Sequence, residues 1–298
     1  MPLTLQDVLD YVRVPHNKRI RLKDYDPGWA GDQDVSKKER KQRAAELLTE
    51  DVTALAAAQD LLYADDSYAI LIVLQAMDAA GKDGIIKHVM SGVNPQGCQV
   101  HSFKQPSSEE LDHTFLWRCM KAAPERGRIG IFNRSYYEDV LVVKVHEELI
   151  AKQRIPGVQV NKDFWNDRYE DINTFERHLV RNGTVILKFF LNVSKDVQCK
   201  RFLERINDPS KHWKFSGADI AERGHWDDYM QAYEDMLNAT STKWAPWYVV
   251  PADYKWVSRA VVAKVLTTTI DGLDLHYPEV PPEKEKQIEE ARKKLEKE

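Results

Sequence analysis

The chain has 298 residues, 43% of them hydrophobic, which is enough for one large core in one or two domains; one main domain with helical additions is expected. A net charge of −4 gives no global reason to expect a polyanionic partner, nucleic acid included. No apolar run approaches the roughly 20 residues of a membrane span, the start "MPLTLQDVLDYVRVPHNKR" lacks the apolar stretch of a secretory signal, and Cys98, Cys119 and Cys199 lie far apart with no C-x-x-C pair, so a cytoplasmic protein in a reducing compartment is expected.

Residues 13–23, "RVPHNKRIRLK", form a local basic run. In 36–63 apolar residues recur at helical spacing, with Ser36 and Glu39 placed as a capping box, so an amphipathic helix precedes the core. "YAILIVLQA" (68–76) reads as a parallel strand covered on both faces. Strands are then expected at 98–103, 128–135, 184–193 and 246–253, separated by helices at 107–123, 161–183, 194–208 and 255–273. Asn182-Gly183 supplies a left-handed stop and Ser194 a cap. This alternation predicts an α/β fold with a parallel five-stranded sheet, helices on both faces, and ligands at the carboxyl ends of the strands. Residues 1–66 would be a helical extension packed on the core, 67–280 the core with a lid at about 207–223, and 281–298 a charged tail.

The first strand runs into "AMDAAGKDG" (76–84). A P-loop reads G-x-x-x-x-G-K-[ST], and here Ala76 and Asp83 stand where the first glycine and the hydroxyl belong. The setting is nonetheless that of an anion site: a small-residue turn after a buried strand, opening a helix whose first amides favour phosphate. Ala79, Ala80, Gly81, Lys82, Asp83 and Gly84 are the candidate phosphate cradle. A carboxylate at Asp78, four residues before Lys82, is unfavourable in such a loop unless a cation sits between it and the phosphates, which makes Asp78, with Asp83 as an aid, the magnesium candidate. Packing of strand against helix is the plain alternative reading of the turn.

At the end of the third strand, "FNRSYYED" (132–139) offers Arg134 as a forked phosphate donor, or as a structural ion pair with Glu138 or Asp139. After the fourth strand, Arg201 and Arg205 share a helix face ahead of a polar span suited to a lid. Trp213, Trp226, Trp244 and Trp247 are read as core packing. Lys87, Lys104, Arg118 and Lys121, among the basic residues near the loop, are candidates for a polyanion track. No zincin, nucleophile-elbow or protein-kinase motif is present, and His88, His101 and His113 are read as bystanders.

Three segments in order, "AMDAAGKDG", "FNRSYYEDVLVVKVH" and "RFLERINDPSKHWKFS", resemble the polyphosphate kinase 2 family over about residues 20–270. The resemblance implies a P-loop kinase fold related to thymidylate kinases, with a helical lid. It also implies transfer from inorganic polyphosphate to adenine nucleotides, guanine being left open, with magnesium or manganese, in a homo-oligomer (dimer or tetramer). Asp78 and Lys82 match the family's loop, Arg134 its second motif, and Arg201 and Arg205 its lid. Asn133 departs from the aspartate many members have, and so is left out of the metal set. The "YYEDVLVVKVH" extension resembles the subgroup that accepts both AMP and ADP. An ATP-dependent nucleotide kinase and a non-catalytic polyanion-binding module are the other classes the residues admit.

Overall fold

The computed structural model describes residues 5–298. Five strands, β1 (Ala69–Gln75), β2 (Cys98–Ser102), β3 (Ile129–Asn133), β4 (Thr184–Asn192) and β5 (Trp247–Pro251), form one sheet in the order β2-β3-β1-β4-β5. Every pairing is parallel, and β1 is flanked by β3 (Ile70 beside Ile129) and by β4 (Ala69 beside Thr184). β1 is buried at all seven positions because helices cover both faces, which explains why it reads as an unbroken apolar run rather than an alternating one. The chain leaves β1 toward β2 on one side and later crosses to β4 on the other. A crevice therefore opens at the carboxyl ends of β1, β3 and β4, the place where such sheets hold ligands.

The helix Lys37–Asp65 begins at Ser36, whose side chain accepts from the Glu39 amide, and packs beside helix Lys255–Asp271, with Lys264 Nζ 3.2 Å from Asp51 Oδ1. The two helices run parallel, since Lys37 lies over Tyr254 at their starts and Thr267 bonds the Asp51 carbonyl further along. Helix Lys162–Arg181 is capped by Asn161 and ends before Gly183, which takes φ +90° as the Asn-Gly pair anticipated. Ser194 caps helix Lys195–Ile206. The N-terminal helix Leu5–Val12 leads into a segment that covers the outer edge of β5, where the Val14 amide donates to the Trp247 carbonyl at 2.8 Å. Helix Pro282–Leu295 is exposed along its whole length.

The helix expected over 107–123 is instead two short helices, Ser108–Leu111 and Trp117–Lys121. Ser107 and Glu110 close a complete capping box, the His113 and Trp117 rings meet at 3.9 Å, and Arg118 turns inward to the Lys104 carbonyl at 2.7 Å. The chain leaves the helical path at 112–116, between the two helices.

Candidate active site

The loop after β1 is built to expose its amide side. Ala79 (φ +62°) and Gly81 (φ +119°) both take left-handed backbone, a conformation glycine adopts freely and alanine only under constraint. The constraint comes from helix Lys195–Ile206. Gln198 Nε2 donates to the Asp78 carbonyl at 3.0 Å, and Arg201 Nη1 donates to the carbonyls of Ala79 (3.0 Å) and Ala80 (2.8 Å). With three successive carbonyls drawn to that helix, Lys82, Asp83 and Gly84 follow as the first turn of helix Lys82–Val89, whose amides have no intrahelical partner.

Arg201 also donates through Nη2 to the carbonyls of Ala252 (2.7 Å) and Asp253 (3.1 Å). Its guanidinium is thus occupied by four carbonyls, and it ties the loop to the end of β5 instead of closing from a lid as the sequence suggested. Arg205, one turn further along, pairs with Asp219 at 3.2 Å on the small helix Gly217–Glu222, in the region expected for the lid.

Lys82 Nζ donates to the Ala76 carbonyl at 2.8 Å. Burial pushes its pKa down, opposed by the field of Asp78 and assisted by that of Arg134. Burial alone would raise Asp78, but Lys82, Arg134 and Arg205 together outweigh it and hold the carboxyl below the ordinary range, so it is ionised. Arg134 Nη2 lies 2.8 Å from Asp78 Oδ1 and Nη1 3.9 Å from Glu138, whose carboxylate is the largest influence raising the Arg134 pKa. Arg134 itself sits at φ +64°, an uncommon place for a long side chain, with its amide bonded to the Leu74 carbonyl at 3.1 Å. Asn133 Nδ2 donates to Asp83 at 3.1 Å.

Two cavities meet at this pair. The larger, about 1080 Å³, is lined by residues 78–85 and, among the described residues, by eight cationic side chains against four carboxylates. The smaller, about 520 Å³, is walled by Met77, Leu111, Leu141, Val142, Val143, Leu149, Tyr229 and Tyr233. Asp78, Lys104, Gln105, Arg134 and Asp219 line both. The first is strongly basic, the second has a broad apolar wall, and the two join beside Asp78 and Arg134.

Of the candidate track residues, Lys104 lines both cavities and Arg118 only the smaller. Lys87 and Lys121 line neither; Lys87 is exposed, and the Lys121 ammonium lies 4.2 Å from the centre of the Trp117 ring. Sequence reasoning missed Lys211, Lys255 and Arg259, all in the wall of the larger cavity. A signal was available for Lys255: it occupies the first turn of a helix with no acidic residue there, where the helix dipole disfavours cations. Trp226 and Trp247 are buried as expected, whereas Trp244 is exposed and Trp213, 79% exposed, borders the larger cavity rather than the core.

For a metal, no cluster of three or more acidic, histidine or cysteine side chains exists among the described residues. Magnesium bound to phosphates needs only one or two carboxylates, its other ligands being water and phosphate oxygen. An ionised Asp78 facing both cavities fits that demand.

Comparison with known proteins agrees with this geometry. The family model for polyphosphate kinase 2 matches residues 35–277. The chain is 53% identical to the ADP-polyphosphate phosphotransferase of Rhodopseudomonas palustris, over 86% of this chain and 89% of the relative. It is 44% identical to the AMP/ADP-polyphosphate phosphotransferase of Meiothermus ruber, over 90% and 94%. The crystal structure of polyphosphate kinase 2 from Arthrobacter aurescens TC1 superimposes with a TM-score of 0.82 at 41% identity, covering 92% of both chains. A family model over most of the chain, relatives of 53% and 44% identity matched over most of both lengths, and a crystal structure of the same overall fold place the chain in the polyphosphate kinase 2 family.

Proposed function

We propose that this phosphotransferase moves phosphoryl groups from inorganic polyphosphate to AMP and to ADP, giving ADP and ATP. Polyphosphate-driven nucleotide phosphorylation follows from the family and the relatives named above. Use of both acceptors, the metal and the residue roles are our reading. It is carried by one observation: a basic cavity and a largely apolar cavity share Asp78 and Arg134.

The acceptor's terminal phosphate is already an anionic oxygen nucleophile near neutral pH, so no general base is required, and catalysis is positioning plus charge neutralisation of an in-line transfer. The donor chain lies in the larger cavity, its reacting end on the amides of Gly81 to Gly84 and on Lys82. Arg134 forks between the transferred group and Glu138. Arg205 approaches from the lid side, exchanging Asp219 for phosphate. Arg201 is a positioning residue that sets the loop carbonyls away from the anion. Asp78 would hold magnesium, or manganese in its place, which when bound neutralises charge on the phosphate oxygens. The smaller cavity holds the nucleoside and excludes water from its apolar wall.

Three cysteines with no disulfide among the described residues, and no helix there long and apolar enough to cross a membrane, accord with a cytoplasmic setting. A dimer or tetramer is expected from the family resemblance and is measured by sedimentation.

Purified protein incubated with magnesium, long-chain polyphosphate and either AMP or ADP should yield ADP and ATP by chromatography. Product from AMP alone restricts the acceptor range. Transfer from ATP with none from polyphosphate overturns the donor in favour of an ordinary nucleotide kinase.

A further inference from the structure

The strongest strand of the sheet carries a lysine at its middle: Lys188 in "TVILKFFLN" is 0% exposed, as is its partner Glu176 on helix Lys162–Arg181. A charged pair with no access to water is expensive, and apolar residues of similar volume commonly serve stability as well or better. The network it supports is complete. Lys188 Nζ donates to Glu176 Oε2 (2.6 Å), to the Thr240 carbonyl (2.7 Å) and to Tyr137 Oη (2.9 Å), while Glu176 Oε1 accepts from the hydroxyls of Tyr136 (2.8 Å) and Tyr137 (2.7 Å). All three lysine donors and both carboxylate oxygens are used.

The two tyrosines lie in the turn Tyr136–Val140, between Arg134 and Glu138. Their rings reach inward to the charged pair, while Arg134 and Glu138 line the acceptor cavity and Arg134 meets Asp78. The turn needs holding, because Arg134 is at φ +64° and Ser135 caps the Tyr137 amide at 3.2 Å over a very short path. The Gln75 amide ties the same turn to β1: oriented to satisfy both its ends, its nitrogen donates to Glu138 at 2.9 Å and its oxygen accepts from Ser135.

We infer that Glu176 and Lys188 are positioning residues for phosphoryl transfer: by anchoring the hydroxyls of Tyr136 and Tyr137 they fix the turn that presents Arg134 and Glu138 to the two substrates. This rests on the function proposed above. A buried pair serving stability alone would satisfy the same hydrogen bonds, so the two roles are separated by kinetics. Hydrophobic contacts would hold the rings in the core but leave them free to shift along their length. Two hydroxyls bonded to one carboxylate oxygen remove that freedom.

The test uses the full chain with Glu176→Leu combined with Lys188→Met, which replaces the pair by apolar groups, and separately Tyr137→Phe. The expected double variant folds cooperatively, loses about 10- to 100-fold in kcat with polyphosphate and ADP, as displacement of a reacting group by about an ångström does, and keeps both KM values within about 3-fold. Amide hydrogen exchange across residues 134–140 should rise in both variants. Wild-type kcat in the folded double variant overturns the inference, as does a loss fully explained by the unfolded fraction. Should the double variant fail to fold, Tyr137→Phe decides: lowered kcat at unchanged KM supports the inference, and wild-type kcat overturns it. If the wild-type protein does not use polyphosphate, the function proposed above fails; the exchange measurement then still decides the anchoring, unchanged exchange overturning it.

Discussion

Arg134 Nη2 stands 2.8 Å from Asp78 Oδ1, and both side chains line both cavities. In the proposed mechanism a group passing from donor to acceptor displaces or shares these two side chains. Asp78→Asn keeps the shape but removes the charge that answers Lys82 and Arg134. Turnover at saturating polyphosphate should drop about 10²-fold or more, and the magnesium concentration for half-maximal rate should rise. Retained turnover with an unchanged magnesium requirement would show that Asp78 does not hold the metal.

Lys82→Ala should lower kcat by about 10² or more, the range for removal of one electrostatic donor to a transferring group. The hydrogen bond that Lys82 donates to the Ala76 carbonyl is lost with it, so a melting scan accompanies the kinetics. Near-normal turnover in a folded variant removes Lys82 from the mechanism.

Arg201 gives a sharper contrast. Its guanidinium reaches four carbonyls on two elements, which an ammonium cannot do. Arg201→Lys keeps the charge near the donor cavity, yet should cost kcat/KM for polyphosphate about 10-fold or more together with a lower melting temperature. If charge were the whole contribution, the lysine variant would behave as wild type.

Much of this arrangement was legible in the sequence because the signals were local. The apolar runs of β1 and β4, the caps at Ser36 and Ser194, the stop at Asn182-Gly183, and the small-residue turn before Lys82 each depend on a few adjacent residues. What escaped depends on distant partners. Nothing near Arg201 in the chain announces that carbonyls of Ala79 and Ala252 will take its donors, and proximity to the loop in sequence misled for Lys121, which lies against Trp117. The break in 107–123 had no local signal in the sequence, and Arg118 there turns to the Lys104 carbonyl. Lys188 could have been noticed, since a lone charge within an apolar strand has to find a partner.

The wall of the larger cavity predicts which surface changes matter. Lys255→Ala with Arg259→Ala should raise KM for long-chain polyphosphate and flatten its dependence on salt, since fewer counterions are exchanged on binding, while KM for ADP stays put. Lys121→Ala should leave both unchanged, because the residue lines neither cavity. Titrating initial rates against potassium chloride separates the cases, and equal salt slopes for all variants would show that the donor does not run along this wall.

Asp139 supplies a prediction about stability and pH. Burial pushes its pKa up from 3.8 to about 6, against the opposing pull of Arg168 and a hydrogen bond from Gln153 at 2.7 Å. Between those two values the folded chain holds a proton that the unfolded chain has released, so folding takes up protons and this group's contribution to stability falls as pH rises. Below pH 3.8 both states are protonated, and above about 6 both are ionised, with the folded carboxylate paying the full cost of burial. Asp139→Asn retains an acceptor for Gln153 and removes the titration. The variant should gain stability at pH 7, by an amount on the order of 2–3 kcal/mol at most, and lose that advantage progressively as pH falls from 6 toward 4. Urea unfolding of both proteins across this range provides the comparison. A difference between them that does not change with pH would mean that Asp139 titrates near its unfolded value and that burial is not what governs it.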